Sequence, residues 1–180
     1  MSPALDVRRP ALAHAPLLAD PVAAALQAWV HADGVGVAAI DPDLADTAAF
    51  VEAYGVASDA SANCVVVGGR RDGVERIAAC VVLATTRADV NGIVRRALDV
   101  RKASFLPMDR AVELTGMEYG GITPIGLPAD WLLLVDEAVT LAGRVIVGSG
   151  LRRSKIEVPG ADLARLPRAT VVPGLGRPVG

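Results

Sequence analysis

The sequence is poor in the side chains that most catalytic and metal sites use. Its 180 residues include two cysteines, two histidines and 3% aromatic residues. Two cysteines are too few for a disulfide framework or a four-thiolate zinc site. The histidines, His14 and His31, form no recognisable pattern with a nucleophilic serine or cysteine. We therefore expect no metal and no cofactor, and any catalysis must need little from acid–base side chains.

Long apolar runs are also missing. A membrane-spanning helix needs about 20 apolar residues, and runs such as residues 77–84 are far shorter. The N-terminal stretch does not read as a secretory signal, because Asp6, Arg8, Arg9 and Pro10 interrupt it. With 52% hydrophobic residues the chain has too much apolar side chain for intrinsic disorder. These features predict a cytoplasmic protein with a single domain.

Charge is unevenly distributed, although the net charge is only −2. Residues 1–60 hold two arginines against eight acidic residues, whereas residues 61–180 hold sixteen basic residues against twelve acidic ones. Two basic clusters occur, one over residues 95–102 and one over residues 152–155. Either cluster could contact phosphates or be an ordinary solvated surface. For residues 95–102 the solvated surface is the favoured interpretation. The mild excess of basic residues in residues 61–180 does not indicate a strongly basic nucleic-acid-binding protein.

Turn and capping signals predict the fold class, a single α+β (mixed α/β) domain with a mixed, mostly antiparallel sheet and flanking helices. Asp20 with Pro21 predicts the first helix of this domain. The turn at Arg71-Asp72-Gly73 predicts a hairpin between strands at residues 63–68 and 76–85. We expect the domain to cover residues 20–172, with a loosely ordered start over residues 1–19 and a flexible tail over residues 173–180.

The glycine-rich segment 116–126 is the best candidate site. Gly120 and Gly121 remove two Cβ atoms in a row, so that backbone N–H groups can approach a phosphate or a developing oxyanion. Pro124 would stiffen this loop. A tight turn between two elements explains the same pattern equally well. A second small-residue stretch, residues 148–150, is more simply read as a turn.

Several polar residues have a structural interpretation beside a functional one. Asn63 opens a run of valines, where it could bind a ligand or satisfy a neighbouring backbone group. Cys64 reads as a small buried hydrophobe. Asp136 and Glu137 are adjacent and would point to opposite faces of a strand, which favours a solvated turn over acid–base catalysis.

These pieces, in this order, resemble the YbaK/prolyl-tRNA editing family of aminoacyl-tRNA deacylases. The resemblance covers residues 20–172. Its specific element is Thr115-Gly116 followed four residues later by Gly120-Gly121-x-x-Pro124-x-Gly126. The remaining segments that carry it are residues 61–67, 79–85, 100–105, 134–137 and 145–150.

The resemblance implies hydrolysis of the ester that links a wrongly attached small amino acid to tRNA, in a pocket between the sheet and the glycine loop. It implies the acceptor end of a mischarged tRNA as partner, and possible association with an aminoacyl-tRNA synthetase. It places the amides of Gly121 and Ile122 near the ester carbonyl. The other substrate-binding positions that it implies are Gly120, Thr123, Pro124, Gly148, Ser149, Gly150 and Asp136.

Asn63 is a departure, because many family members carry a lysine there. Asparagine can donate a hydrogen bond to the terminal adenosine, but it brings no charge. Three hypotheses stay open. The first is a free-standing deacylase that acts in trans, with Asn63 as a catalytic residue. The second is a catalytically weak or inactive module that binds aminoacyl-adenosine, the tRNA acceptor end or a synthetase. The third is a deacylase of some other ester.

Overall fold

In residues 5–7 and 9–179, which the computed structural model describes, the strands form two main sheets and a short ribbon. The strands are β1 (Arg9–Pro10), β2 (Gly36–Ala39), β3 (Ala62–Arg71), β4 (Val74–Leu83), β5 (Thr86–Ala88), β6 (Ala103–Phe105), β7 (Leu132–Asp136), β8 (Arg144–Gly148), β9 (Ser154–Pro159), β10 (Ala169–Val172) and β11 (Gly176–Pro178). The helices are α1 (Asp20–Ala28), α2 (Thr47–Tyr54), α3 (Arg95–Ala97), α4 (Met108–Thr115), α5 (Glu137–Leu141) and α6 (Gly160–Leu163). A π-helical turn, Val90–Val94, leads into α3, and 3-10 turns occur at Ala11–Leu17, Ala32–Gly34, Pro42–Leu44 and Ser58–Ala60.

The sheet topology is mixed. One sheet has the order β1-β2-β9-β8 and is antiparallel throughout. The other has the order β10-β7-β4-β3-β6, with parallel pairing only on the two sides of β7. A parallel bridge between Ser61 and Ile146 links β8 to the start of β3. The α+β class and the mostly antiparallel pairing are therefore confirmed.

The β3–β4 hairpin forms at the predicted turn. Asp72 and Gly73 have φ values of 52° and 78°, which a two-residue type I′ turn requires. The pairing runs without a break from Arg71 opposite Val74 to Ala62 opposite Leu83. This register places Asn63 near the end of the hairpin, where β6 no longer covers the edge of β3.

Two apolar clusters hold the sheets. The larger contains Leu26 of α1 with Val37, Val81 and Ile156, so it joins α1 to both sheets. The second lies on the other face of the mixed sheet, where Val67 and its neighbours pack against the π-helical turn, the residues that follow α3 and the chain before β11. Among the described residues, no helix is long and apolar enough to cross a membrane.

The two ends of the chain differ from the sequence prediction. Ala11 and Leu18 of the predicted loose start are buried in the main cluster. Leu175 of the predicted tail is fully buried, and Gly176 pairs with Ala88. Residues 1–4, 8 and 180 lie outside the described residues. These apolar side chains fill gaps at the edges of the two clusters, which only the folded chain creates.

Candidate functional site

A cavity of about 450 Å³ lies beside the glycine-rich loop and is bordered by strands of both main sheets. The residues that line it are Ala45, Asp46, Thr47, Ser61, Ala62, Asn63, Cys64, Val65, Val66, Phe105, Leu106, Met108, Ala111, Tyr119, Gly120, Ile122, Ile146, Val147, Gly148 and Lys155. This volume is typical of a small-molecule site. It is too small for a folded nucleic acid, so only the end of a large substrate could enter.

The cavity has a buried floor and an exposed apolar mouth. Val147 and Lys155 are almost inaccessible, with exposed fractions of 2% and 7%. Phe105, Met108 and Tyr119 are 61%, 53% and 50% exposed. Exposed aromatic side chains at the mouth of a site can stack on a nucleobase.

Asn63 faces the cavity and is oriented by α2. The hydroxyl of Thr47, the first residue of α2, donates a hydrogen bond to Asn63 Oδ1 over 2.5 Å. Within the described part of the chain the Asn63 Nδ2 group makes no hydrogen bond, so both of its protons are available to a ligand. The placement of Asn63 at the cavity is compatible with the prediction that its side-chain amide donates a hydrogen bond to a ligand.

Lys155 is a cavity residue that sequence reasoning missed. It lies on β9 opposite Gly148 of β8, and its Nζ atom donates to the carbonyl oxygen of Ala45 over 2.9 Å. The Phe50 ring lies 5.2 Å from Nζ, at cation–π distance. Burial lowers the pKa of Lys155 to about 8, with Asp46 raising it and Arg152 lowering it further.

The sequence places Lys155 in a basic cluster with Arg152 and Arg153, but the structure separates the three. The Arg152 guanidinium donates to the carbonyl oxygens of Tyr119 and Pro42 over 3.2 and 3.0 Å. That of Arg153 donates to the Pro16 carbonyl oxygen over 2.8 Å. Both arginines therefore tie segments together. The sequence offered no signal for the burial of Lys155, because strand alternation puts it on the same face as Glu157 and opposite the core residues Ile156 and Val158.

The glycine loop is tied to the turn after β8 by backbone hydrogen bonds. The Gly121 amide donates to Glu118 O over 2.9 Å, and Gly121 O accepts from the Gly150 amide over 2.7 Å. A Cβ atom on Gly148 would lie 2.3 Å from Gly121 O, so the two segments touch only because this side chain is absent. The Gly121 amide is thus engaged within the loop, and its contact with the ester carbonyl stays a prediction. The Ile122 amide makes no hydrogen bond among the described residues.

The other predicted site residues divide into two groups. Gly120, Ile122 and Gly148 join Asn63 in lining the cavity. The remaining residues do not line this cavity, and their substrate contacts stay predictions: Thr123, Pro124, Ser149, Gly150 and Asp136.

The residues of this second group have surroundings of their own in the fold. Pro124 lines a separate apolar cavity near Trp131. Ser149 is fully buried, and its hydroxyl forms a hydrogen bond with the Ser154 hydroxyl. The Asp136 carboxylate is also buried and accepts a hydrogen bond from the Gly176 amide over 3.1 Å. Thr123 is fully buried. Ser149 and Asp136 therefore have structural partners outside the cavity.

No activated nucleophile reaches the cavity from the described residues. Burial, with a contribution from Cys80, raises the pKa of the Cys64 thiol far above neutrality, so this cavity-lining cysteine stays protonated. His14 Nδ1 contacts the carbonyl oxygen of Pro10, and His31 packs against Trp29. Neither histidine lines the cavity. Among the described residues no group of three His, Cys, Asp or Glu side chains could hold a metal ion.

Comparison with known proteins identifies the family. The aminoacyl-tRNA editing domain matches residues 41–166, which include every residue that lines the cavity. The match covers more than half of the chain, so the protein belongs to the aminoacyl-tRNA editing domain family. The family membership predicted from the sequence is thereby confirmed.

Solved structures share the fold. A candidate trans-editing enzyme for prolyl-tRNA synthetase is 19% identical, with a TM-score of 0.71, and the alignment covers 86% of this chain and 94% of that one. The hypothetical protein APE2540 is 21% identical, with a TM-score of 0.71 and coverage of 85% and 99%. At these identities the likeness concerns the fold alone. The comparison with curated proteins gave no significant match.

Proposed function

We propose that the protein is a deacylase that acts in trans and hydrolyses the ester of a small amino acid mischarged on tRNA. The observation that carries the proposal is the cavity of about 450 Å³, which lies within the family match and is lined by Asn63, whose Nδ2 group is a free donor, and by the glycine loop. The likeness in fold to a candidate trans-editing enzyme supports an action in trans. Editing of this kind is needed because a synthetase pocket separates small amino acids only by about 10–200-fold.

The chemistry requires little from acid–base side chains, which agrees with the lining of the cavity. An aminoacyl ester is already activated, and the neighbouring ribose hydroxyl can orient the attacking water. The protein has to hold the ester and stabilise the developing oxyanion. The Ile122 amide and Asn63 Nδ2 are free donors for this purpose, whereas the Gly121 amide is engaged.

The placement of exposed and buried groups suggests how the substrate enters. The terminal nucleotide would stay at the mouth, where Phe105 and Tyr119 offer aromatic faces. The aminoacyl group would reach the floor beside Val147 and Ile146. Side chains larger than the floor admits would be excluded, so the cavity itself acts as the sieve.

The direct test is release of labelled amino acid from a panel of Ala-, Cys-, Ser-, Thr- and Pro-tRNA. We expect selective release of one small amino acid, reduced about tenfold or more in Asn63→Ala, because loss of a hydrogen bond to a charged group costs about 1.5–3 kcal/mol. Thr47→Val, which removes the bond that orients Asn63, should cause a smaller loss. The matched control is Asn91→Ala, which alters the exposed asparagine outside the cavity.

A non-catalytic binding module is the second candidate, and the engaged Gly121 amide favours it. Such a module would bind aminoacyl-adenosine, the tRNA acceptor end or a synthetase without hydrolysis. Amino acid release no faster than the spontaneous rate, with tRNA binding retained, would contradict the deacylase and support the module. Release that uncharged tRNA fails to inhibit would indicate an ester substrate other than tRNA.

A further inference from the structure

Lys155 is a buried cation without a carboxylate partner. Its side chain is 7% exposed, and among the described residues no carboxylate oxygen lies within ion-pair distance of Nζ. The negative charge of Asp46 favours the charged form of Lys155, but the Asp46 carboxylate forms its ion pair with Arg152, at 3.7 Å. Burial of an unpaired charge is unfavourable, and proteins rarely keep one without a function.

The hydrogen bonding of Lys155 is also incomplete. An ammonium group has three donors, and one of them is used by the Ala45 carbonyl oxygen. The Phe50 ring covers a second direction. At least one donor direction remains for a group in the cavity, which Lys155 helps to line.

The neighbours of Lys155 leave it open to the cavity. Its partner across the β8–β9 ladder is Gly148, which has no side chain to cover Nζ, and its partner in β2 is Ala38. Gly148 also lines the cavity. The cation therefore belongs to the buried part of the lining, whereas Phe105, Met108 and Tyr119 belong to its exposed part.

We propose that the Lys155 ammonium group contacts the acyl carbonyl oxygen of the substrate and stabilises the negative charge that this oxygen acquires during hydrolysis. The proposal rests on the proposed deacylase function. A phosphate would stay with the nucleotide at the mouth, so the carbonyl oxygen is the acceptor that reaches a buried donor. The α-ammonium group of the substrate would turn away from Lys155, towards the Asp46 carboxylate on the cavity wall.

The step is a simple ester hydrolysis. The oxygen of a water molecule bonds to the acyl carbon, and the π electrons of the carbonyl move to its oxygen, where Lys155 holds the charge. The bond between the acyl carbon and the ribose oxygen then breaks as the carbonyl reforms. The ribose oxygen takes up the proton lost by the water, which gives a free amino acid and an uncharged tRNA end.

The ionisation of Lys155 gives this role a pH signature. Burial lowers its pKa to about 8, and the charged groups that face it are Asp46, at the start of α2, and Arg152, in the turn before β9. At pH 7 the side chain is still mainly charged. Rate acceleration over the spontaneous reaction should therefore fall as the pH rises above about 8.

The chain offers a matched control, because its two lysines are Lys155 and Lys102, and Lys102 is exposed and outside the cavity. We expect Lys155→Met to lower kcat about a hundredfold with KM nearly unchanged, as for other lost oxyanion donors. The variant should also lose the decline above pH 8, whereas Lys102→Met should match the wild type. Lys155→Arg, which keeps the charge, should recover part of kcat. A rise in KM with kcat preserved, or equal loss in the Arg and Met variants, would overturn the proposal.

A second measurement uses the unaltered protein and needs no activity. The ε-carbons of the two lysines, labelled with ¹³C, are titrated by NMR with and without 3′-alanylamino-3′-deoxyadenosine, a substrate analogue with an amide in place of the ester. The Lys155 signal should shift on binding while the Lys102 signal stays in place. An inactive wild type with this shift would refute the deacylase and keep the contact. An active wild type without the shift, or failure of the analogue to bind, would refute the contact.

Discussion

Asn63 and Lys155 reach the cavity from different sheets, yet one short segment holds both. The Ala45 carbonyl oxygen accepts from Lys155, and the Thr47 hydroxyl donates to Asn63. Residues 45–47 are in turn fixed by Arg152, which contacts Pro42 and Asp46. The two polar groups of the site are thus positioned by the start of α2, which no pairing rule between strands would specify.

Lys155 should make the stability of the protein depend on alkaline pH. Its pKa in the folded chain is about 8 against an ordinary 10.5, so between these values the unfolded chain binds more protons. The free energy of unfolding contributed by this group should therefore rise with pH across that window, by about 3 kcal/mol in all. Lys155→Met should lack this rise and should be more stable than the wild type at pH 7.

Urea unfolding of both proteins at several pH values between 7 and 10.5 measures the difference. Groups common to both proteins, including the two cysteines, cancel in this comparison. Lys102→Met serves as the control and should follow the wild type. A lower stability of Lys155→Met at pH 7 would mean that the Ala45 contact outweighs the burial of the charge, and that the lysine is kept for structure.

At the scale of elements, the glycine loop and the β8–β9 turn form one unit because their backbones touch. A methyl group at residue 148 would meet Gly121 O at 2.3 Å and Ile122 O at 2.7 Å. We expect Gly148→Ala to lower the free energy of unfolding by about 1–3 kcal/mol, since overpacking forces a shift of the backbone. Deacylation should fall as well, because the loop that carries Ile122 must move.

Gly34→Ala is the matched control for this change. Its nearest contact would be Pro159 Cγ at 3.7 Å, an ordinary van der Waals distance, and we expect a change within about 0.5 kcal/mol. Thermal unfolding and single-turnover deacylation of both variants give the comparison. Wild-type stability and activity in Gly148→Ala would show that the close approach is not required.

At the scale of the whole molecule, the C-terminal segment closes one face of the mixed sheet. Leu175 is fully buried in the second apolar cluster, and the Gly176 amide is a partner of the buried Asp136 carboxylate. Removal of residues 173–180 should lower the free energy of unfolding by about 3 kcal/mol or more, because it deletes a buried leucine and leaves a buried carboxylate without this donor.

A truncation after Pro178 keeps both contacts and is the control. Denaturant unfolding of the two truncated proteins distinguishes the structure from the sequence prediction of a flexible tail. Equal stability of the long and the short truncation would favour the flexible tail. The cavity lies elsewhere, so the more stable truncation should keep its activity.

The sequence alone determined the features that depend on neighbours along the chain. Asp72 and Gly73 specified the hairpin, because a type I′ turn needs positive φ at both positions. Gly55 and Gly116 ended α2 and α4 in the left-handed conformation. The order of these local signals, with the Thr-Gly and Gly-Gly-x-x-Pro-x-Gly pattern, was enough to identify the family.

Only the tertiary structure decided which groups face the cavity. Gly121 belongs to the glycine pattern, but its amide is engaged by Glu118 once the loop folds. Lys155 stands in a run of basic residues and on the face of β9 opposite the core residues Ile156 and Val158, yet it is buried because its ammonium group contacts Ala45 O and the Phe50 ring. Sequence spacing records neither burial nor the competition of distant donors for an acceptor, because both arise when segments a hundred residues apart come into contact.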